Sequence, residues 1–160
     1  LSYHFNRYSK IRLDFGYNII GFNDVVDRDA FKNAKIIYSW DKNTRSWKAY
    51  EGPMYGNQCY LIFNKKEEVL SIKTKLVNPE KLTLKLQKGW NCIIWPSNNY
   101  VLDSYDCIDA IYGYDSSIQN WELIVRSDKL KEFKGYFVYA NRDCVIRFKE
   151  VGLNHIEVVP

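Results

Sequence analysis

Two stretches of the chain alternate apolar and polar residues and then lose the alternation at a glycine. In the first, Ile11, Leu13 and Phe15 alternate with Arg12 and Asp14, and Gly16 follows. In the second, Leu82, Leu84 and Leu86 alternate with polar residues, and Gly89 follows shortly after. Alternation with a period of two places the apolar side chains on one face of a strand, so each stretch predicts a half-buried β-strand. The glycine predicts a bulge or tight turn, giving either a strand pair or one bent strand. Beyond each glycine lies a nearly continuous apolar run, Tyr17 to Phe22 and Trp90 to Trp95. Such a run fits a strand covered on both faces. Pro96 ends the second run, because proline cannot donate to a ladder.

The pattern then changes period. In 24–34, Val26, Ala30, Phe31 and Ala34 fall on one helical face, and in 97–110 Val101, Leu102, Tyr105 and Ile108 do the same. Each segment predicts a short helix, with Ser97 or Asn98 able to cap the second. Strand patterns return in pairs. Residues 35–41 and 45–50 flank a polar link at 42–44, and 109–115 and 120–125 flank a link at 116–119, which predicts two hairpins. Residues 58–63 and 69–74, then 134–140 and 144–148, predict two more. Residues 155–159, His-Ile-Glu-Val-Val, have the pattern of a further strand.

These elements recur in the same order. Gly16, Tyr17, Asn18 and Phe22 match Gly89, Trp90, Asn91 and Trp95 at an offset of 73. Ile37, Tyr38, Trp40, Asp41 and Trp47 match Ile111, Tyr112, Tyr114, Asp115 and Trp121 at 74. Tyr60, Phe63, Val69 and Ile72 match Tyr136, Tyr139, Val145 and Phe148 at 76. The offset grows between blocks, as loop insertions in a duplicated unit would make it. The pattern predicts a mainly β fold, a sandwich or barrel-like arrangement, of two tandem repeats with one short helix each. An N-terminal arm would span 1–10, the repeats 11–77 and 78–150, and a C-terminal strand or tail 151–160.

Composition supports β structure and contact surfaces. Of 160 residues, 46% are hydrophobic and 16% aromatic, including Tyr 13 and Trp 5. Tyr and Trp suit pleated, half-buried surfaces and interfaces. A net charge of +4 with scattered lysines argues against a nucleic-acid partner, since the densest stretch, Lys129 to Lys134, is interrupted by Glu132. There is no apolar run long enough for a transmembrane helix. The chain begins at Leu1, compatible with a processed form or a fragment.

Cys59, Cys92, Cys107 and Cys144 form no CxxC pair, so a zinc ribbon is unsupported. Three of the four lie in the second half, which forbids a bridge within each half. A bridge inside the second half, or one from Cys59 to a second-half partner, stands against four buried free thiols.

Catalytic chemistry finds little support. His4 and His155 each lie near a terminus, a poor scaffold for a triad. Asp41 and Asp115 could form a carboxylate pair on paper, but each precedes a turn, where Asp bonds its own backbone. The acids Asp24, Asp27, Asp29, Asp103 and Asp106 do not match an EF-hand loop, and no phosphate-loop motif occurs. No cofactor or metal is expected. Trp40, Trp47, Tyr50, Tyr112, Tyr114 and Trp121 cluster on the hairpins and form the candidate interaction surface.

The second repeat resembles a known pattern. Gly89-Trp90-Asn91, Trp95-Pro96, Ile111 to Asp115, Trp121 and Lys134 to Tyr139 are similar to β-rich modules, with GWN, WP and GKGY motifs, of bacterial and archaeal secreted surface proteins. The first repeat departs from it, with Asn23 for the proline and Gln58-Cys59 for Lys-Gly. The resemblance implies non-catalytic parts of surface layers, stalks or adhesins, and no catalytic residues. The expected role is therefore a self-associating structural subunit of an extracellular, cell-surface or virion assembly, partnered by its own copies or other surface proteins. A glycan-binding or adhesin module using exposed aromatics is the alternative.

Overall fold

The computed structural model describes residues 6–75 and 82–151. The first part contains β1 (Asn6–Leu13), β2 (Gly16–Ile20), β3 (Ala34–Asp41), β4 (Ser46–Ala49), β5 (Tyr60–Asn64) and β6 (Glu68–Lys75). The second contains β7 (Thr83–Leu86), β8 (Gly89–Ile94), β9 (Tyr100–Leu102), β10 (Ile108–Asp115), β11 (Asn120–Leu123), β12 (Gly135–Ala140) and β13 (Cys144–Glu150). The protein is mainly β, in antiparallel sheets. One four-stranded sheet has the order β2-β5-β3-β4, and the other, read from the same end, β8-β12-β10-β11. Strands β1 and β6 pair with each other, and β13 pairs with both β7 and β9.

Alternation explains the layers. Ile11 and Leu13 of β1 and Ile72 of β6 are buried against Ile37, Tyr60 and Ile62 of the first four-stranded sheet. Leu86, Leu102, Ile146 and Phe148 are buried against Ile93, Ile111, Tyr136 and Val138 of the second. Each four-stranded sheet thus has one face on its own core. Phe133, from the second half, joins the first core.

The chain changes layers at the two glycines. Gly16 and Gly89 both have φ of 102°, where a side chain is strained. An asparagine clasps each bend. Asn18 Oδ1 accepts from Asp14 N–H at 2.9 Å, and its amide donates to Asp14 O and Gly16 O. Asn91 Oδ1 accepts from Gln87 N–H at 3.1 Å, and its amide donates to Gln87 O and Gly89 O.

Three expectations need correction. Neither short helix forms. The first segment holds a single 3-10 turn, Arg28–Ala30, because Val26 N–H donates to Met54 O and pulls the chain into a bridge. The second becomes β9, in which Tyr100 and Leu102 are buried and pair with β13. Tertiary pairing outweighs the helical spacing. The last two hairpins also do not form. β5 and β6, like β12 and β13, enter different sheets, so the turn between them carries the chain across its core. Finally, β1 begins at Asn6, inside the segment read as an arm. His4, His155, the 155–159 strand and the boundary between 77 and 78 lie outside the described residues.

Two buried tyrosines fasten loops to the cores. Tyr60 Oη accepts from Tyr55 N–H at 2.8 Å, and Tyr136 Oη accepts from Lys131 N–H at 2.7 Å while donating to Lys129 O. Burial pushes both phenols up to about 12 from 10.0. A raised acid favours the folded state fully below its unfolded pKa, and that stability is lost as pH climbs to the folded one. Alkaline unfolding is therefore expected to steepen between pH 10 and about 12, on the order of 2 kcal/mol for each ring. Denaturant titrations across that range should show the loss, and a Tyr60→Phe, Tyr136→Phe double variant should flatten it.

Candidate functional site

The faces of the two four-stranded sheets turned away from their cores carry a cluster of aromatic rings. On β3 and β4, Trp40 and Trp47 are cross-strand partners with ring centroids 5.3 Å apart. On β10 and β11, Tyr114 and Trp121 are partners at 5.2 Å. Phe137 of β12 stands between the pairs, edge-on to Trp40 at 4.9 Å, Trp121 at 5.5 Å and Trp47 at 5.9 Å. Edge-to-face contacts of this kind add about 0.5–1.5 kcal/mol each beyond burial. Together these rings form a seam joining the halves.

Of the candidate surface, Trp40, Trp47, Tyr114 and Trp121 meet at this seam. Tyr112 lies nearby, edge-on to Trp90, which also meets Tyr139. Tyr50 does not join them. It packs beside Tyr60 on the first core, and its hydroxyl donates to Pro53 O at 2.6 Å. Trp121 stays 48% exposed and Trp90 38%, so the seam has an open aromatic rim.

The centre of the seam is covalent. Cys59 is bonded to Cys92 across the halves, and Cys107 to Cys144 within the second. Gly135 sits against the first bridge: a Cβ there would lie 2.8 Å from Ile19 Cγ2 and 3.1 Å from Cys59 Sγ. Around it, Asn23 Nδ2 donates to Pro96 O at 2.8 Å, and Arg7 pairs with Glu132.

The seam also uses residues that sequence reasoning had no ground to single out. Gln119 sits in the β10–β11 turn with φ of 52°. Its Oε1 accepts from Tyr17 N–H at 2.7 Å, and its Nε2 donates to Tyr17 O at 2.9 Å. Arg45 holds the counterpart place in the β3–β4 turn, also at φ 52°, and donates to Lys88 O at 2.6 Å. Gln119 lies in the polar link 116–119 and Arg45 directly after the link 42–44, and that placement is the one signal that pointed there.

The carboxylates weighed for catalysis are engaged in their own turns. Asp41 accepts from Asn43 N–H at 2.8 Å, and that bond, then Thr44 N–H, holds its pKa below the usual value. Asp115 accepts from the Ser117 hydroxyl at 2.6 Å, which does the same. Asp27 caps the 3-10 turn, and Asp24 and Asp103 face Lys75 and Lys149. Among the described residues, no group of three acid, Cys or His side chains is placed to hold a metal ion, and no helix is long and apolar enough to cross a membrane.

No protein-family model, curated protein or solved structure matches the chain.

Proposed function

We propose that this chain is a non-enzymatic structural module of an extracellular surface assembly, a fibre, surface layer or virion component, that associates with its own copies. The observation that carries the reading is the seam itself. Its Trp, Tyr and Phe side chains and one disulfide join two β units, and they build a rigid block instead of converging on a reacting atom. Two disulfides fit an oxidising compartment, as for a secreted protein.

A tandem duplication underlies this block. It is supported by the shared strand order, the glycines at one φ, the paired asparagine clasps and the paired tyrosines. The second repeat's resemblance to bacterial and archaeal surface modules points the same way. Copies of such a block are expected to form ordered oligomers or polymers in negative-stain electron micrographs.

Glycan binding is the second reading, favoured by the open faces of Trp121 and Trp90 at the rim. Aromatic faces stack on sugar rings. A glycan array without signal, or binding unaltered by Trp121→Ala, would eliminate it.

A further inference from the structure

One side chain is treated differently in the two halves. Gln58 and Lys134 each lie two residues before the buried tyrosines, Tyr60 and Tyr136. The registers around them agree, since Tyr38 pairs with Leu61 as Tyr112 pairs with Phe137. In the first half Gln58 is tied to β3. Its Nε2 donates to Ser39 Oγ at 2.8 Å and to Trp40 O at 2.5 Å. In the second half Gly113 stands in the place of Ser39. A Cβ at Gly113 would lie 3.1 Å from Tyr136 Cε1, so β10 runs close to that ring and offers no side chain to meet Lys134. Among the described residues no hydrogen bond or ion pair engages Lys134 Nζ. Its backbone is nonetheless fixed. Trp95 N–H donates to Lys134 O at 3.3 Å, and a bridge joins Lys134 to Ile20.

The partly buried Lys134 lines a cleft of about 330 Å³ with Gly113, Ile124 and Tyr136. The exposed cations Arg12, Lys129 and Lys131 line it as well. So do three carboxylates, Asp14, Asp115 and Glu122. Asp14 accepts from Arg12 and Ser116, and Asp115 from Ser117, and neither comes within ion-pair distance of Lys134. Burial lowers the pKa of Lys134 below that of an ordinary lysine. Asp14 and Asp115 oppose the shift and Arg12 adds to it. A desolvated amine beside other cations carries more free base at neutral pH and is the better nucleophile. Among the described residues Lys129 and Lys131 make no side-chain ion pair, which leaves two ammonium groups to hold an anion. The volume and the apolar wall suit a small carbon skeleton.

We propose that Lys134 is a covalent attachment site for a small aldehyde that bears a carboxylate, held in this cleft as an imine. The nitrogen lone pair forms a C–N bond to the carbonyl carbon, and the proton shed by nitrogen goes to the carbonyl oxygen. The resulting carbinolamine loses water and leaves a C=N bond. No oxidant or reductant enters. This attachment is independent of the self-association proposed above.

The test incubates the intact, oxidised chain at neutral pH with glyoxylate and cyanoborohydride, which reduces the imine and leaves a carboxymethyl group on the amine. Peptide mass spectrometry then gives a rate for each lysine, with the α-amine, a weaker base than lysine everywhere, as the internal reference. Lys134 is expected to react about tenfold faster than the exposed lysines, through its free base and the local concentration of anion together. In guanidinium that advantage should vanish. Propionaldehyde, of similar size but uncharged, should label Lys134 more slowly than glyoxylate does. Lys129→Gln with Lys131→Gln should erase this preference, and both positions are exposed, so the fold is not at stake. A Lys134 rate equal to that of the exposed lysines would overturn the site. Equal rates with the two aldehydes would overturn the carboxylate-bearing class.

Discussion

Phe137→Ala is expected to destabilise the protein by about 3–5 kcal/mol, the range for deleting a buried phenylalanine. Phe137 is 9% exposed and touches three indole rings drawn from both halves. Removing it leaves a cavity at the seam, and the edge-to-face contacts go with it. The effect reaches beyond stability. Trp40, Trp47 and Trp121 would gain water, so their fluorescence should shift to the red before global unfolding begins. Phe137→Leu keeps most of the volume and should cost less than about 1.5 kcal/mol. Equal losses for the two variants would mean that ring geometry contributes nothing beyond occupied space.

Removing the Cys59–Cys92 bridge by paired alanine substitution is expected to cost about 3–4 kcal/mol. Its partners are 33 residues apart, and closing a loop of that length takes that much entropy from the unfolded chain. The midpoint of thermal unfolding should fall by roughly 10 °C. Cys107–Cys144 spans a similar 37 residues, so its loss should cost a similar amount. The two variants should nevertheless differ in cooperativity. Without Cys59–Cys92 the halves should unfold in separable steps at the temperatures where seam contacts fail. Without Cys107–Cys144 the second half should weaken while remaining covalently coupled to the first. Differential scanning calorimetry distinguishes one broadened transition from two.

Local patterns carried much of the fold. Alternation at Ile11 and Leu13 located the buried face of β1, although Phe15, read as its continuation, falls past the end of the strand and is exposed, and polar links marked the β3–β4 and β10–β11 hairpins. Long-range pairing was not legible. β6 looked like the return strand of β5, but its partner is β1, because Ile11, Leu13 and Ile72 must cover one core from the same layer. Residues 97–110 have a helical spacing of apolar side chains, and only the presence of β13 turns Tyr100–Leu102 into a strand. At the site, Trp40, Trp47, Tyr114 and Trp121 stood out by residue type, whereas Phe137 was one aromatic in the run Tyr136 to Tyr139. Its importance comes from standing opposite the other half, which no local pattern encodes. Gln119 and Arg45 were hidden for a related reason, since their partners, Tyr17 and Lys88, lie far away in sequence.

Sedimentation velocity of the intact oxidised chain over a wide concentration range tests the self-association most directly. Oligomers are expected to grow with concentration and to form ordered assemblies in the same samples by negative stain. A single species of 19.0 kDa at every concentration would contradict self-association.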